Sequence, residues 1–341
     1  MLSIQRILLP TDFSPAAVHA ESHVRAVARL FGAELHILHV TSDASLESLP
    51  GDRVQSESGE SRPRFRHILA WLTDEEQWIP DHSGERTEVK RVVQESDEPS
   101  RAILRYAEAE HIDLIVMGTT GQRLVRGPLF GFVTDRVVRQ ASCPVVTIRP
   151  DTQTNEPDDS FLTAPWRDRV LVVPVDLSST PVELLTQAKH WAATFRASLD
   201  VIHVIEQTGW QRIRASAGLH EGDTKRSVAE AVERRGRLRE RLSDAPGPDV
   251  PFATRILFGQ VAETITAYAD AQKARFMLLS TGSAGGLGTY LMGGVTDYVL
   301  RHARCPVAAL PIDNESFRVP TDPKQDVPPD DTPSDEGPHR S

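Results

Sequence analysis

Three glycines and a basic loop are the residues of this chain best placed to do chemistry. Gly118 and Gly121 follow a short apolar run, Leu114 to Met117; nine residues later Gly131 opens a helical pattern carried by Val133, Val137 and Ala141. A helix starting beside Gly131 turns the backbone N–H groups of Phe132, Val133 and Thr134 out of its first turn, where the helix offers them no acceptor. Those donors, together with the positive end of the helix dipole, suit an anion and above all a phosphate. Glycines on the approach permit backbone conformations and close contacts that a side chain would forbid. Arg123 and Arg126 add positive charge to the intervening loop. The plain alternative is a strand–loop–helix connection in which glycine serves only tight turning, and spacing alone does not separate the two.

The elements around this stretch alternate in type. Ile4 to Thr11 reads as a strand ending in Pro10-Thr11-Asp12, and Ser14 with Pro15 reads as the capped start of a helix. Ala17, Ala20, Val24, Val27 and Phe31 fall on one face of that helix and Gly32 stops it. Leu35 to Val40 is a second strand, Phe65 to Leu72 a short helix, Val89 to Val93 a third strand and Ser100 to Glu110 a helix. Leu114 to Met117 and Val145 to Ile148 complete five strands. Such alternation implies a parallel α/β sheet, and ligands on these sheets bind beyond the carboxyl ends of the strands. Asp12, Val40 and Gly118 all fall at predicted strand ends, so one crevice can hold them together.

The chain then repeats itself. GFVTDRVVRQASCPV and GGVTDYVLRHARCPV align with Gly131 and Gly293, Asp135 and Asp297, and Cys143 and Cys305 each 162 positions apart; Asp12 and Asp176 are 164 apart. Two copies of one domain follow: residues 1–150 and 166–313, with 151–165 as linker and 314–341 as a Pro-, Asp- and Ser-rich tail expected to be disordered. In the second copy Thr180, Pro181 and Glu183 read as a capping box, and 224–242 as a charged helix with a solvated face.

Composition narrows the function. A net charge of −10 over 341 residues argues against general nucleic-acid binding. No apolar run is long enough for a membrane span and no secretory signal is apparent, so the expected setting is cytoplasmic. Two cysteines, Cys143 and Cys305, make neither a disulfide framework nor a four-ligand metal site. No G-K-[ST] motif occurs, and no GxGxxG follows the first strand, so P-loop and dinucleotide readings fail. His36, His39 and His203 lack a carboxylate or cysteine at ligand spacing and read as structural.

Each half resembles the universal stress protein (UspA) family, and the whole chain is similar to a tandem two-domain member. The motifs that carry the likeness are PTDFS after the first strand, MGTTG after the fourth, and Gly118-x2-Gly121-x9-Gly131-Phe132 against the family's G-x2-G-x9-G-[S/T]. The resemblance implies a Rossmann-like α/β domain of the adenine nucleotide alpha hydrolase-like class in each half. It further implies that ATP, with or without Mg2+, is bound in the first half. Asp12 and Val40 would hold adenine and ribose, flanked by Pro10, Thr11 and Met117; Gly118, Gly121, Gly131, Val133 and Thr134 would surround the phosphates, with Arg123 in their loop. Phe132 departs from the family's Ser or Thr; the backbone N–H survives, Thr134 offers a nearby hydroxyl, and the ring can crowd the pocket. The second half reads Ser280-x2-Ser283-x9-Gly293-Gly294, with no cation between Ala284 and Met292, and no nucleotide is expected there. Members pair through their fifth strands, which implies an internal pseudo-dimer through Val145–Ile148 and Val307–Leu310, and opens the way to a homodimer. The resulting expectation is a non-enzymatic, nucleotide-binding stress-response regulator with an unidentified protein partner. A nucleotide-free interaction module and a slow ATPase are its rivals.

Overall fold

The computed structural model describes residues 2–41, 78–80, 86–119, 131–149, 170–207, 221–281 and 294–311. In chain order the first half contains β1 (Arg6–Thr11), α1 (Pro15–Phe31), β2 (Glu34–Thr41), β3 (Trp78–Pro80), β4 (Arg86–Glu95), α2 (Pro99–Ala109), β5 (Leu114–Gly118), α3 (Phe132–Gln140) and β6 (Val145–Ile148). The second contains β7 (Val170–Pro174), α4 (Val182–Thr194), β8 (Ser198–Glu206), α5 (Glu221–Asp244), β9 (Phe252–Gly259), α6 (Val261–Ala271), β10 (Phe276–Ser280), α7 (Gly294–His302) and β11 (Val307–Leu310). The expected helix at 65–72, the linker and the tail lie outside the described residues.

The eleven strands among the described residues join one sheet in the order β3-β4-β2-β1-β5-β6-β11-β10-β7-β8-β9. Each half supplies five parallel strands. Ile7, Leu8 and Leu9, all fully buried, show why these strands are apolar without alternation: helices cover both faces. β3, which no sequence pattern marks, adds antiparallel to β4 with Trp78 opposite Glu88. Three residues ending in proline carry too little periodicity to be read as a strand.

The halves meet where β6 and β11 run antiparallel, Val146 opposite Ala308, and Thr147 Oγ1 donates to the Val307 carbonyl at 3.3 Å. One core runs beneath α1, α4 and the end of α5, and includes Val24, Trp191, Val146 and Ala308 from both halves. Phe31 and Phe195 meet edge to face with centroids 5.9 Å apart across that seam. The opposite face buries α2, α3, α6 and α7, with Val137, Val299, Val145 and Val307 in one cluster. On this second face Arg139 bridges Asp135 at 2.9 Å within α3 and reaches Asp297 of α7 at 3.6 Å, while Arg301 pairs with Asp297 at 2.8 Å. The four residues are equivalents in the two repeats.

Local signals explain most helix ends. Ser14 Oγ accepts the Ala17 N–H at 3.2 Å, Pro15 begins α1, and Gly32 ends it at φ 61° with its N–H on Ala28. The capping box at Thr180 does not form. The helix starts at Val182 with Pro181 as its cap residue, and the Thr180 hydroxyl instead accepts the Asp176 N–H at 2.7 Å. A tight turn after β7 competes for that hydroxyl and wins. The charged helix α5 is longer than its pattern suggests and only partly solvated, since Leu238 and Leu242 are buried in the core.

Candidate functional site

Strand order decides where a site can be. From β1 the chain first moves to β2 and β4 on one side, then returns to place β5 and β6 on the other. The carboxyl ends of β1 and β5 therefore flank the topological switch point. Thr11 pairs with His39 on β2, and Leu8 with Ile115 on β5, so Asp12, Val40 and Gly118 end neighbouring strands.

The loop after β1 is wired by its own side chains. The Phe13 N–H donates to Thr11 Oγ1 at 3.1 Å and the Ser14 N–H to Asp12 Oδ1 at 3.0 Å. These bonds hold Phe13 at φ 59°, a conformation that side chains seldom adopt. His39 Nδ1 donates to the Thr11 carbonyl at 2.8 Å, and its ring lies 4.8 Å from that of Phe13. His39 is thus the strut of this loop, a role its position in the sequence does not reveal. Pro10 is buried at the end of β1, Met117 is buried, and Val40 packs on the α2–α3 side of the sheet.

The glycine stretch is built from both faces. A Cβ on Gly118 would stand 2.8 Å from the Ala16 backbone carbon and 2.9 Å from its oxygen, so α1 can approach β5 only because residue 118 has no side chain. The glycine requirement thus comes from the α1 side of the sheet. On the other face the Gly131 N–H donates to the Thr119 carbonyl at 2.8 Å, and Gly131 serves as the N-cap residue of α3. The first ladder bond of that helix is Asp135 N–H to Gly131 O at 2.8 Å. The N–H groups of Phe132, Val133 and Thr134 precede it, at the positive end of the helix.

Two expectations about hydroxyls and rings change here. Thr134 does not present its hydroxyl as a donor, because Oγ1 donates to the Gly118 carbonyl at 3.0 Å and the residue is buried. Phe132 is 77% exposed, so its ring is turned to solvent and is not packed into the helix start. Val133 is half-buried beside the α2–α3 core. Gly121 and Arg123 lie outside the described residues. Sequence reasoning overlooked Thr119, which sits between Gly118 and the described start of α3. It is 5% exposed, and among the described residues its Oγ1 has no hydrogen-bond partner.

The second half has the same frame with different wiring. Asp176 is engaged by its own turn: Ser178 N–H and Oγ donate to Oδ1 at 3.0 and 2.8 Å, and Ser179 Oγ to Oδ2 at 2.9 Å. Burial works against the charge, but these bonds outweigh it and hold the carboxyl below its usual range. Arg241 of α5 donates to the Leu177 and Thr180 carbonyls, and Arg234 donates to Nε2 of His203, whose Nδ1 donates to Val175 O at 3.0 Å. Arginines from α5 thereby clamp a turn that in the first half is held without them among the described residues. Ser280 stands where Gly118 stands in the first half; Ser283 and the loop 284–292 lie outside the described residues.

Other chemistry-bearing groups are accounted for by packing. His36 Nδ1 meets Tyr106 Oη at 2.8 Å within the core; its equivalent Asp200 accepts from Tyr268 at 2.5 Å. Burial pushes the thiols of Cys143 and Cys305 up to about 12. Among the described residues no three His, Cys, Asp or Glu side chains converge as a metal site, and no helix is long and apolar enough to cross a membrane.

Known proteins share this frame. The universal stress protein MJ0531 of Methanocaldococcus jannaschii is 30% identical over 153 residues, covering 42% of this chain and 82% of that protein. The universal stress protein Rv2005c of Mycobacterium tuberculosis is 25% identical over 195 residues, 57% of this chain and 60% of its own length. A solved universal stress protein from Archaeoglobus fulgidus superposes with a TM-score of 0.57 at 19% identity, covering 91% of this chain and 99% of that one, which speaks to the fold. The profile of the Universal stress protein family matches residues 3–149 and again 169–311. With one such domain in each half and the two joined through β6 and β11, the chain belongs to the universal stress protein family.

Proposed function

We propose that the first half binds an adenine nucleotide, ATP with or without Mg2+, and that the bound nucleotide acts as a regulatory ligand in a stress response, not as a substrate turned over. The observation that carries this reading is convergence: Asp12, Val40 and the Met117–Gly118 strand end meet the amino end of α3 at the switch point of the sheet. Backbone N–H groups at a helix start need no side chain to receive a phosphate, so Phe132 in place of Ser or Thr leaves the main-chain cradle intact. No base, nucleophile or second carboxylate accompanies Asp12 in the sequence motif, which favours a binding role. The second half, with its turn tied down by Asp176, Arg234 and Arg241, is assigned no nucleotide. A protein partner, and a homodimer beyond the internal pairing of halves, remain part of this proposal.

Thermal unfolding of the full chain with and without millimolar Mg-ATP tests it. Ligand at a hundred times Kd stabilises the native state by about 2.7 kcal/mol, so a clear rise in Tm is expected for the wild type. The rise should persist in Asp176→Ala and vanish in Asp12→Ala. An unchanged Tm in a folded wild-type sample favours the nucleotide-free interaction module, for which the exposed Phe132 ring is the supporting observation. Phosphate release that is lost in Asp12→Ala would establish the ATPase instead.

A further inference from the structure

The second half carries a charged cleft at the amino ends of β10 and β11, on the opposite rim of the sheet from its own strand carboxyl ends. Asp270, Lys273, Arg275 and Arg304 line it together with the small residues Ala269 and Ala274, and its volume is 440 Å3. That size falls within the range of about 300–1,000 Å3 usual for small-ligand pockets. Because β6 and β11 are antiparallel, the cleft shares its rim with the carboxyl ends of β5 and β6. Met117 pairs with Thr147 and Thr147 with Val307, two strand spacings or about 10 Å in all.

The plain reading of these cations is that they offset helix dipoles. α6 ends at Ala271 and α7 at His302, each two residues before a lining cation, and positive side chains suit helix carboxyl ends. The first half is the control for that reading. α2 and α6 end in the same backbone turn: His111 and Lys273 have φ 51° and 49°, and their N–H groups donate to the Glu108 and Asp270 carbonyls at 3.3 and 3.0 Å. Shifted by 162 positions, Asp270, Lys273, Arg275 and Arg304 correspond to Glu108, His111, Asp113 and Ser142. None of these four is Lys or Arg, yet the same helices end there. Asp113 instead accepts the Gln5 and Arg6 N–H groups at 2.7 and 2.9 Å, a structural task that an arginine cannot perform. The cations of the second half are therefore not a requirement of the shared frame.

Three cations against one carboxylate give the lining a net charge of +2. Arg304 reaches Asp270 at 3.6 Å with its own side chain 83% exposed, and a pair so long and so exposed contributes little and yields readily to a ligand. A phosphate group at neutral pH carries about −1.5 to −2, which a single carboxylate does not. Guanidinium groups meet its oxygens through paired N–H donors.

We propose that this cleft of the second half binds the phosphate group of a small phosphate ester, with Lys273, Arg275 and Arg304 as its cationic partners and Asp270 limiting its affinity. The site is separate from the crevice of the first half and does not depend on a nucleotide being bound there.

Calorimetric titration of the full chain with inorganic phosphate and with pyrophosphate, at ionic strength held constant with sodium chloride, tests it. Lys273→Asn suits the left-handed backbone at that position, and Arg304→Ala removes an exposed side chain, so both variants should keep the wild-type Tm without ligand. Each should weaken binding about tenfold, and the double variant about a hundredfold. Asp270→Asn removes the one carboxylate and should tighten binding, an effect that damage to the fold would not produce. Wild type that takes up neither anion overturns the inference. So does a double variant that retains full affinity, which would place the anion elsewhere, or an Asp270→Asn variant that binds more weakly. Acetate bound as well as phosphate would reduce the cleft to a general effect of charge and overturn the assignment to phosphate.

Discussion

The Thr134 hydroxyl donates to the Gly118 carbonyl across 3.0 Å, and this single bond ties the first turn of α3 to the last residue of β5. It joins the two main-chain segments that line the candidate cradle, and it does so from a buried residue. Thr134→Val keeps the shape and leaves the Gly118 carbonyl without that donor. The expected cost is about 1–3 kcal/mol, read as a lower urea midpoint at unchanged slope, with weaker nucleotide binding as a consequence. An unaltered midpoint would mean that α3 is positioned by its apolar face alone.

Gly118 is constrained from the other side of the sheet. Gly118→Ala drives a methyl group to within 2.8 Å of the Ala16 backbone, which cannot give way as a flexible side chain would. Overpacking of this kind costs about 1–3 kcal/mol. Thermal unfolding without ligand should therefore already register the substitution; a defect confined to nucleotide binding would contradict the packing argument.

Arg139 and Asp297 bring the two α3-type helices together across the junction of the halves, 3.6 Å apart and about a quarter to a third exposed. Partly exposed pairs of this kind contribute about 0.2–1 kcal/mol. A double-mutant cycle with Arg139→Ala and Asp297→Ala should return a coupling in that range, diminishing in high salt. Coupling of several kcal/mol would show that the charge network, and not the antiparallel pairing of β6 with β11, dominates the junction.

Burial holds His36 below its ordinary value of 6.5, outweighing the nearby carboxylate of Glu34. The unfolded chain therefore takes up a proton more readily than the native state between 6.5 and the lower native value. Stability attributable to this residue is complete above about pH 6.5 and is lost as the pH falls below it. His190 is shifted in the same direction by burial and adds to the effect. Urea midpoints measured from pH 7.5 to 5 should decline, and His36→Asn should decline less steeply. Equal slopes would assign the dependence elsewhere.

Cys143 is buried and its thiol is pushed up to about 12 by that burial. Only the thiolate reacts readily with disulfide reagents. Native protein at pH 8 should leave Cys143 unlabelled over the time in which urea-unfolded protein reacts fully, as mass spectrometry of the labelled peptides would reveal.

Much of this molecule is legible in its residues alone. The duplicated segment around Gly131 and Gly293 announced two domains, because repeats 162 positions apart must build the same unit twice. Uninterrupted apolar strands such as Ile7–Leu9 announced a sheet covered on both faces, since burial on both sides removes the need for alternation. Caps such as Ser14 and Gly32 depend on neighbours within one turn of helix, and were legible for that reason. Tertiary structure alone decided what the polar groups of the site do. Thr119 and Thr281 are the same residue at equivalent positions of the two repeats, yet the Thr281 hydroxyl is tied to Leu310 and that of Thr119 has no partner among the described residues. Thr134 spends its hydroxyl on Gly118, and Thr180 turns its own back to Asp176. Phe132 faces solvent, and Gly118 answers to a helix that precedes it by a hundred residues. A hydrogen bond is settled by tenths of an ångström between groups far apart in the chain, and residue order carries periodicity and punctuation but not that distance.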